Sequence, residues 1–182
     1  RAPMMEIRHG CDCGIFYHGA EFVACILLSE EKKQMVYDKR KDNFIVSTDV
    51  TRLDIDVIHS FLTRSYWARG IPREFVSRAI NNSLCFGLFE NDKQIGFARA
   101  ITDYARFAHL LDVFVLEAYR GRGLGTWLMQ CVMEHLTSFG LFKIMLNTDD
   151  AQTFYQKFGF NQISKPPSCM EVLFEMPWFI KE

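Results

Sequence analysis

The sequence predicts an α/β fold of the α+β type, in which helices flank a mixed, mostly antiparallel sheet. Segments typical of strands and helices follow one another in the order β-α-α-β-β-β-α-β-α-β. This order lacks the regular strand–helix alternation that a doubly wound parallel sheet requires. The length of 182 residues suits one domain, and a hydrophobic fraction of 49% with 17 Phe residues supplies a dense core.

The first part of the predicted domain holds one strand and two helices. The strand covers residues 44–47. Asp54 is placed to cap the first helix, since its carboxylate accepts bonds from unpaired N–H groups, and Gly70 breaks that helix. Pro72 suits the first turn of the second helix. Apolar residues share one face of each helix: Ile55, Ile58, Leu62 and Tyr66 in the first, Phe75, Val76, Ala79 and Ile80 in the second.

The second part of the predicted domain contains most of the sheet and a long helix. Residues 90–93 read as a hairpin turn between two apolar strands. Leu124, Leu128, Val132 and Leu136 lie four residues apart, which predicts an amphipathic helix that Gly140 ends. The predicted elements are three apolar strands, the long helix, a strand, a short helix and a closing strand, over residues 84–89, 94–101, 107–116, 125–139, 143–146, 151–158 and 172–174.

The N-terminal residues differ in character from the rest of the chain. Residues 1–35 lack clear periodicity, so we interpret residues 1–42 as an N-terminal extension and residues 43–182 as the functional domain. The apolar stretch at residues 15–28 contains His18 and Glu21 and has no clean small-residue cleavage site. It therefore predicts neither a signal peptide nor a membrane-spanning helix, which needs about 20 apolar residues.

Charge and cysteine content argue against several classes of function. The net charge of -1 gives no surplus of Lys and Arg for binding nucleic acid. The six cysteines include no CxxC pair, and the close pair Cys11 and Cys13 lacks the second pair of ligands that a zinc site needs. We expect no metal site, and reduced thiols in a cytoplasmic protein.

The junction between the third apolar strand and the long helix carries the clearest chemistry, in what we call the glycine turn (residues 120–125). Gly121, Gly123 and Gly125 let the backbone turn tightly and approach a ligand, and a helix start offers unpaired N–H groups to a pyrophosphate. Thr126 stands where a dinucleotide fingerprint needs its third glycine, and no Walker loop is present. The remaining pattern is Arg-x-x-Gly-x-Gly from Arg120. The alternative is a turn that needs glycines for structural reasons alone.

A second motif, at residues 151–160, supports a resemblance to a known family. Residues 151–160, AQTFYQKFGF, follow the pattern A-x-x-x-Y-x-x-x-G-F. Together the two motifs resemble the GNAT superfamily of acyl-CoA N-acyltransferases, and the resemblance covers about residues 43–172. Residues 66–72, 94–99 and 112–115 are similar to small, stand-alone bacterial members. The chain departs from the usual pattern at Ala118, where Pro is frequent, and at Gln152 and Thr153, where many relatives of this group carry His-Gly.

The resemblance implies a GNAT-like fold and acetyl-CoA as the acyl donor. Backbone groups of Phe114 and Val115 would pair with the pantetheine arm, and the glycine turn with Thr126 would hold the pyrophosphate. Tyr155 would lie near the cofactor sulfur. The implied cofactor-binding residues are Phe114, Val115, Arg120, Gly121, Arg122, Gly123, Leu124, Gly125 and Thr126.

Direct attack of an amine on a thioester needs two proton transfers. A lysine-like amine, with a pKa of about 10.4, must lose a proton, and the departing thiolate, with a pKa of about 8.5, gains one. Tyr155 is the candidate acid, unless it is simply a packed helix aromatic. His109 and Asp112 are candidate bases, although strand alternation places them on opposite faces unless a bulge intervenes. Deprotonation through water and a purely structural role for both residues stay open.

The connection between the first two helices is expected to wall the acceptor site. Tyr66 and Trp67 could line it, and Arg69 or Arg73 could meet an acceptor carboxylate, unless these are core aromatics and solvated arginines. The predicted reaction is acetylation of a primary amine on a small molecule in a ternary complex. The alternatives are a protein lysine or N-terminal acetyltransferase, and a non-catalytic acyl-CoA-binding module. Exposed strand edges favour a homodimer by analogy.

Overall fold

The computed structural model describes residues 35–163, 169–174 and 178. The chain divides into two units, residues 1–34 and 35–182. The first unit, most of the predicted N-terminal extension, lies outside the described residues. No helix in the described part of the chain has the length and apolar character that a bilayer crossing requires.

A single six-stranded sheet organises the second unit, and its strands lie side by side in chain order. Neighbouring strands run antiparallel from the first to the fifth, and the last pair is parallel. This confirms the predicted mixed, mostly antiparallel sheet. The strands are β1 (Asp38–Lys41), β2 (Phe44–Ser47), β3 (Leu84–Glu90), β4 (Lys93–Thr102), β5 (Phe107–Val115) and β6 (Lys143–Leu146).

The described residues include four α-helices: α1 (Ile55–Leu62), α2 (Arg73–Asn81), α3 (Leu124–Thr137) and α4 (Gln152–Gln156). The Asp54 carboxylate caps α1 as predicted, accepting bonds from the N–H groups of Asp56 and Val57. The helix ends at Leu62, well before Gly70, and the Leu62 carbonyl accepts hydrogen bonds from the N–H and the hydroxyl of Ser65 at 3.0 and 2.7 Å.

Each face of the sheet is covered by helices, which produces two apolar clusters. Leu128, Val132 and Leu136 of α3 are fully buried in the cluster on one face. On the other face, Ile58 of α1 and Val76 of α2 pack in a cluster with Phe97 and Phe114 of the sheet. The strands β3 and β4 are therefore buried on both sides. This packing confirms the apolar spacing predicted for the three longer helices, except at Tyr66, which lies beyond the end of α1 and is exposed.

Two elements differ from the prediction. The sheet starts at β1, before residue 43, where the sequence analysis began the domain. This edge strand has the sequence DKRK and all its residues are exposed, so it carries no apolar alternation to read. The strand predicted for residues 172–174 is not formed, and that prediction is wrong: these apolar residues are irregular and exposed in the structure.

Candidate functional site

A cavity of about 1090 Å³ opens where β5 and β6 separate. It exists because β6 pairs with β5 only along Phe107–Leu110, so residues 111–115 of β5 present an edge that β6 does not cover. Helices α1 and α2 and the aromatic loop (residues 63–72) wall one side of the cavity. The start of α3 and the residues leading into α4 wall the other.

The glycine turn forms one end of the cavity. Gly121 and Gly123 have φ of +77° and +74°, values that strain residues with a Cβ, and a Cβ built on either would meet no atom within 4 Å. The first N–H groups of a helix have no intrahelical partner, and here they belong to Leu124, Gly125 and Thr126, which line the cavity. Open space beside unpaired N–H groups and a helix N-terminus suits a pyrophosphate.

The two arginines of the turn point to different places. Arg120 lines the cavity, and its Nε donates to the Val115 carbonyl at 3.0 Å. The Arg122 guanidinium lies 3.4 Å from the Glu90 carboxylate and over the Phe44 ring, on the opposite side of the turn. The structure thus brings the predicted cofactor-binding residues together along the cavity, with Arg122 as the exception.

A β-bulge shapes the cavity floor. Phe97 pairs with Phe114 and Arg99 with Leu111, so Asp112 and Val113 together oppose Ala98. Asp112 adopts a left-handed conformation with φ of +54°. Its carboxylate accepts a hydrogen bond from the Arg99 Nε at 2.7 Å, and both side chains are only 12% exposed. Arg99 Nη1 also donates to the Ser83 hydroxyl at 3.1 Å.

His109 shares a face with Arg99, because its cross-strand partner Ile101 and Arg99 lie two residues apart on β4. A bulge does intervene and brings the Asp112 carboxylate to Arg99 on that face, so the strict alternation that would place His109 and Asp112 on opposite faces does not apply here. Of His109 and Asp112, only Asp112 is among the described residues that line the cavity. Within this part of the chain, the buried Nε2 of His109 has no hydrogen-bond partner. Burial, with a smaller contribution from Arg99, lowers the pKa of His109.

Tyr155 projects into the cavity from the short helix α4. Its ring meets those of Phe154 and Phe160 edge-on, with centroids 5.1 and 6.0 Å away. Burial raises the pKa of Tyr155 to about 12, and the nearby Tyr66 and Asp150 add to this effect. The phenol therefore keeps its proton at neutral pH.

The aromatic loop covers the part of the cavity beyond Tyr155. The Tyr66 hydroxyl donates to Asp150 Oδ1 and accepts from the Asp149 N–H, both at 3.4 Å, so it bridges the two walls. Trp67 lies against Tyr66 and Phe61, with ring centroids 4.9 and 6.3 Å apart. Tyr66 and Trp67 thus line the cavity as the sequence suggested.

Other predicted and unpredicted residues complete the site. Arg69 and Arg73 are not among the described residues that line the cavity, and Arg73 Nε instead donates to the Asp56 carboxylate at 2.7 Å. The sequence analysis missed Asp149, Asp150 and Trp178. Asp149 and Asp150 closely follow a strand, where polar residues are a usable signal, whereas nothing near Trp178 marked it. Residues able to form a metal cluster are absent from the described part of the chain.

Comparison with known proteins identifies the family of this chain. The sequence model of the Acetyltransferase (GNAT) family matches residues 52–160. A candidate acetyltransferase of Gibberella zeae is 30% identical over 138 residues, which cover 64% of this chain and 78% of the relative. An uncharacterised N-acetyltransferase, ycf52-like, of Prochlorococcus marinus is 32% identical over 130 residues, with coverages of 68% and 72%.

Solved structures include a candidate GNAT acetyltransferase from Xanthomonas campestris pv. campestris, which is 47% identical and has a TM-score of 0.69. The alignment covers 72% of this chain and 93% of that one. A GNAT acetyltransferase from Elizabethkingia anophelis, solved with acetyl-CoA bound, shares the fold at 17% identity and a TM-score of 0.55, with coverages of 74% and 90%. The family model matches more than half of the residues of this chain, which shows that the chain belongs to the GNAT acetyltransferase family.

Proposed function

We propose that this protein transfers the acetyl group of acetyl-CoA to a primary amine of a small molecule, by direct attack in a ternary complex. One observation carries the proposal: a single cavity of about 1090 Å³ joins the glycine turn, Tyr155 and the aromatic loop. Cavities of about 300–1,000 Å³ hold one drug-sized ligand, so this one has room for a donor arm and a small acceptor. Free thiols at Cys85, Cys131 and Cys169 support a cytoplasmic setting.

The donor fits the end of the cavity at the glycine turn. The N–H groups of Leu124, Gly125 and Thr126 would hold the pyrophosphate, in the space left open beside Gly121 and Gly123. The uncovered edge of β5 at residues 111–115 offers backbone groups to an amide-bearing arm, as an added strand would use them. When bound, acetyl-CoA supplies the thioester that the amine attacks.

The residues around the middle of the cavity handle the protons. Tyr155 holds a proton at neutral pH and donates it to the departing thiolate. Asp112 is the carboxylate on the cavity floor, and because it is paired with Arg99, the proton of the amine would pass to water beside this pair rather than stay on the carboxylate. His109 lies outside the cavity lining, so we assign it no part in this transfer.

The size of the cavity supports a small acceptor over a protein substrate. The contact between Tyr66 and Asp150 joins the two walls of the cavity, and Trp178 contributes to the lining beside α2. A peptide substrate would need an open groove at this position. A non-catalytic acyl-CoA-binding module would have no use for a protonated Tyr155 beside the acceptor.

The test is a thiol-release assay with acetyl-CoA and a panel of small amines, read together with the mass of the product. We expect one CoA to be released for each amine molecule that gains about 42 mass units, the mass of an acetyl group less that of the hydrogen it replaces. Acetylation of lysine peptides without acetylation of any small amine would favour the protein acetyltransferase. Binding of acetyl-CoA with no transfer to either class would favour the binding module.

A further inference from the structure

The charges in the acceptor half of the cavity, the part lined by α1, α2, the aromatic loop and residues 147–151, do not balance. The charged side chains of the described lining here are Arg99, Asp112, Asp149 and Asp150. Arg99 and Asp112 neutralise each other at 2.7 Å. Neither Asp149 nor Asp150 is paired with a basic residue of the described chain. The half therefore carries an excess of negative charge at its mouth.

The arginines that a carboxylate ligand would use are committed elsewhere. Arg99 directs Nε to Asp112 and Nη1 to the Ser83 hydroxyl. Arg120 lies at the glycine turn, where its Nε holds the Val115 carbonyl. An acceptor that carries a carboxylate would meet like charge at Asp149 and Asp150, and no bidentate guanidinium partner is offered by the described lining of this half.

The remaining surface of this half is mostly apolar and includes several aromatic rings, with Asn147 and Thr148 as its uncharged polar residues. Phe61 stacks on Phe114 with ring centroids 3.9 Å apart, and Trp67 continues the surface toward the mouth. Such rings accept an alkyl or aryl body and attract an ammonium group to their faces. The bond of 3.4 Å from Tyr66 to Asp150 is long for a hydroxyl donor, so an ammonium N–H can replace it at little cost.

We propose that the acceptor is a cationic amine with an apolar alkyl or aryl body and no carboxylate, which enters past Asp149 and Asp150. This names the acceptor class for the reaction under Proposed function and rests on that function. Among chemically related compounds, the site selects the decarboxylated amine over the parent amino acid. The reacting nitrogen loses its proton only after it has passed the two carboxylates.

The test uses pairs of compounds that differ by one carboxylate: tryptamine with tryptophan, phenethylamine with phenylalanine, and agmatine with arginine. Each is titrated by calorimetry into the CoA-loaded protein and assayed for acetyl transfer. We expect the amine of a pair to bind about tenfold more tightly or better, which corresponds to about 1.4 kcal/mol. The double variant Asp149→Asn/Asp150→Asn should lower the ratio of the amino acid's Kd to the amine's Kd about threefold, which is the size of effect that exposed charges have on an interaction. Asp38→Asn, on the far edge strand, should leave it unchanged.

The outcomes separate the two proposals. Equal or tighter binding of the amino acid, binding of neither member of any pair, or an unchanged ratio in the double variant would overturn the acceptor class. A preference for the amine that persists without any acetylated product would instead contradict the transferase function. Transfer to the amino acids at the same rate as to the amines would sustain the transferase and overturn the acceptor class.

Discussion

Tyr155 is the residue on which the proposed chemistry depends most. A group that gives up a proton during catalysis must hold it beforehand, and burial raises the pKa of Tyr155 to about 12. The raised pKa also makes the phenol a weaker acid, so in the proposed mechanism Tyr155 contributes through its position in the cavity. Loss of the hydroxyl should therefore affect the chemical step and leave donor binding intact.

We predict that Tyr155→Phe lowers kcat about 100-fold, because general acid catalysis contributes on this scale. Affinity for acetyl-CoA should stay within about twofold of the parent protein, a difference below 0.5 kcal/mol. Tyr104→Phe is the matched control, since Tyr104 packs against Phe139 and does not line the cavity. The measurement is thiol release at saturating acetyl-CoA. Unchanged turnover in Tyr155→Phe would remove the general-acid assignment.

The lowered pKa of His109 leads us to expect that the stability of the protein depends on pH. The His109 pKa is lowered in the folded protein by burial and by Arg99, so the folded state resists protonation. The unfolded chain binds a proton as the pH falls below about 6.5, and stability declines from that point toward lower pH. We expect His109→Leu to lose stability less steeply than the parent between pH 7 and 5 in urea titrations. Parallel pH profiles for the two proteins would contradict this.

At the scale of elements, the bulge in β5 decides what faces the cavity. Two residues of β5 oppose Ala98, and the left-handed Asp112 sets its carboxylate against Arg99. Both side chains are nearly buried, so each charge depends on the other for compensation. The pair therefore holds the bulge in place, and with it the edge at residues 111–115.

We predict that Arg99→Met destabilises the fold by about 3 kcal/mol, because it leaves the Asp112 carboxylate buried without its partner. The double variant Arg99→Met/Asp112→Leu should recover most of that loss, since apolar groups can replace a buried ion pair. The free energy of unfolding in urea measures both. A double variant as unstable as the single variant would show that the pair itself is not what stabilises this region.

The sequence predicted elements wherever side-chain patterns report local burial. The strands β2 to β6 and the four helices were found because apolar runs and 3.6-residue spacing mark them. The charged strand β1 carried no such pattern, since it is held by backbone pairing and by a contact from Lys39 to Glu134 at 2.9 Å. The apolar residues 172–174 carried the pattern of a strand without the pairing that makes one.

The site was predictable in part for the same reason. Glycines and a helix start mark the glycine turn locally, so the turn could be predicted from the sequence. Most of its residues line the cavity as expected. The direction of Arg122 depends on Glu90 from another strand, and the bulge at Asp112 depends on pairing with β4. Trp178 enters the lining from a distant part of the chain. Tertiary contacts of this kind leave no periodic signal in the sequence.

At the scale of the whole molecule, the proposed function depends on the separation of β5 and β6. Their pairing stops at Leu110 and Leu146, and the cavity fills the space that opens beyond this point. Helices α1 and α2 close it on the acceptor side, and the glycine turn closes it on the donor side. A homodimer formed through an exposed strand edge stays a prediction, which sedimentation equilibrium would test.

The central claim is that the glycine turn binds acetyl-CoA, and calorimetric titration of Gly123→Ala tests it most directly. Gly140→Ala is a matched control: Gly140 has φ of +72° against +74° for Gly123, and a Cβ at either meets no atom within 4 Å. Both changes should cost about 1 kcal/mol of stability through backbone strain.

Of Gly123 and Gly140, only Gly123 is among the described residues that line the cavity. We therefore predict that Gly123→Ala weakens acetyl-CoA binding about tenfold or more, because the added methyl group occupies space needed by the pyrophosphate. Gly140→Ala should bind acetyl-CoA as the parent does. Equal affinities in the two variants, or no binding of acetyl-CoA to the folded parent protein, would contradict the account.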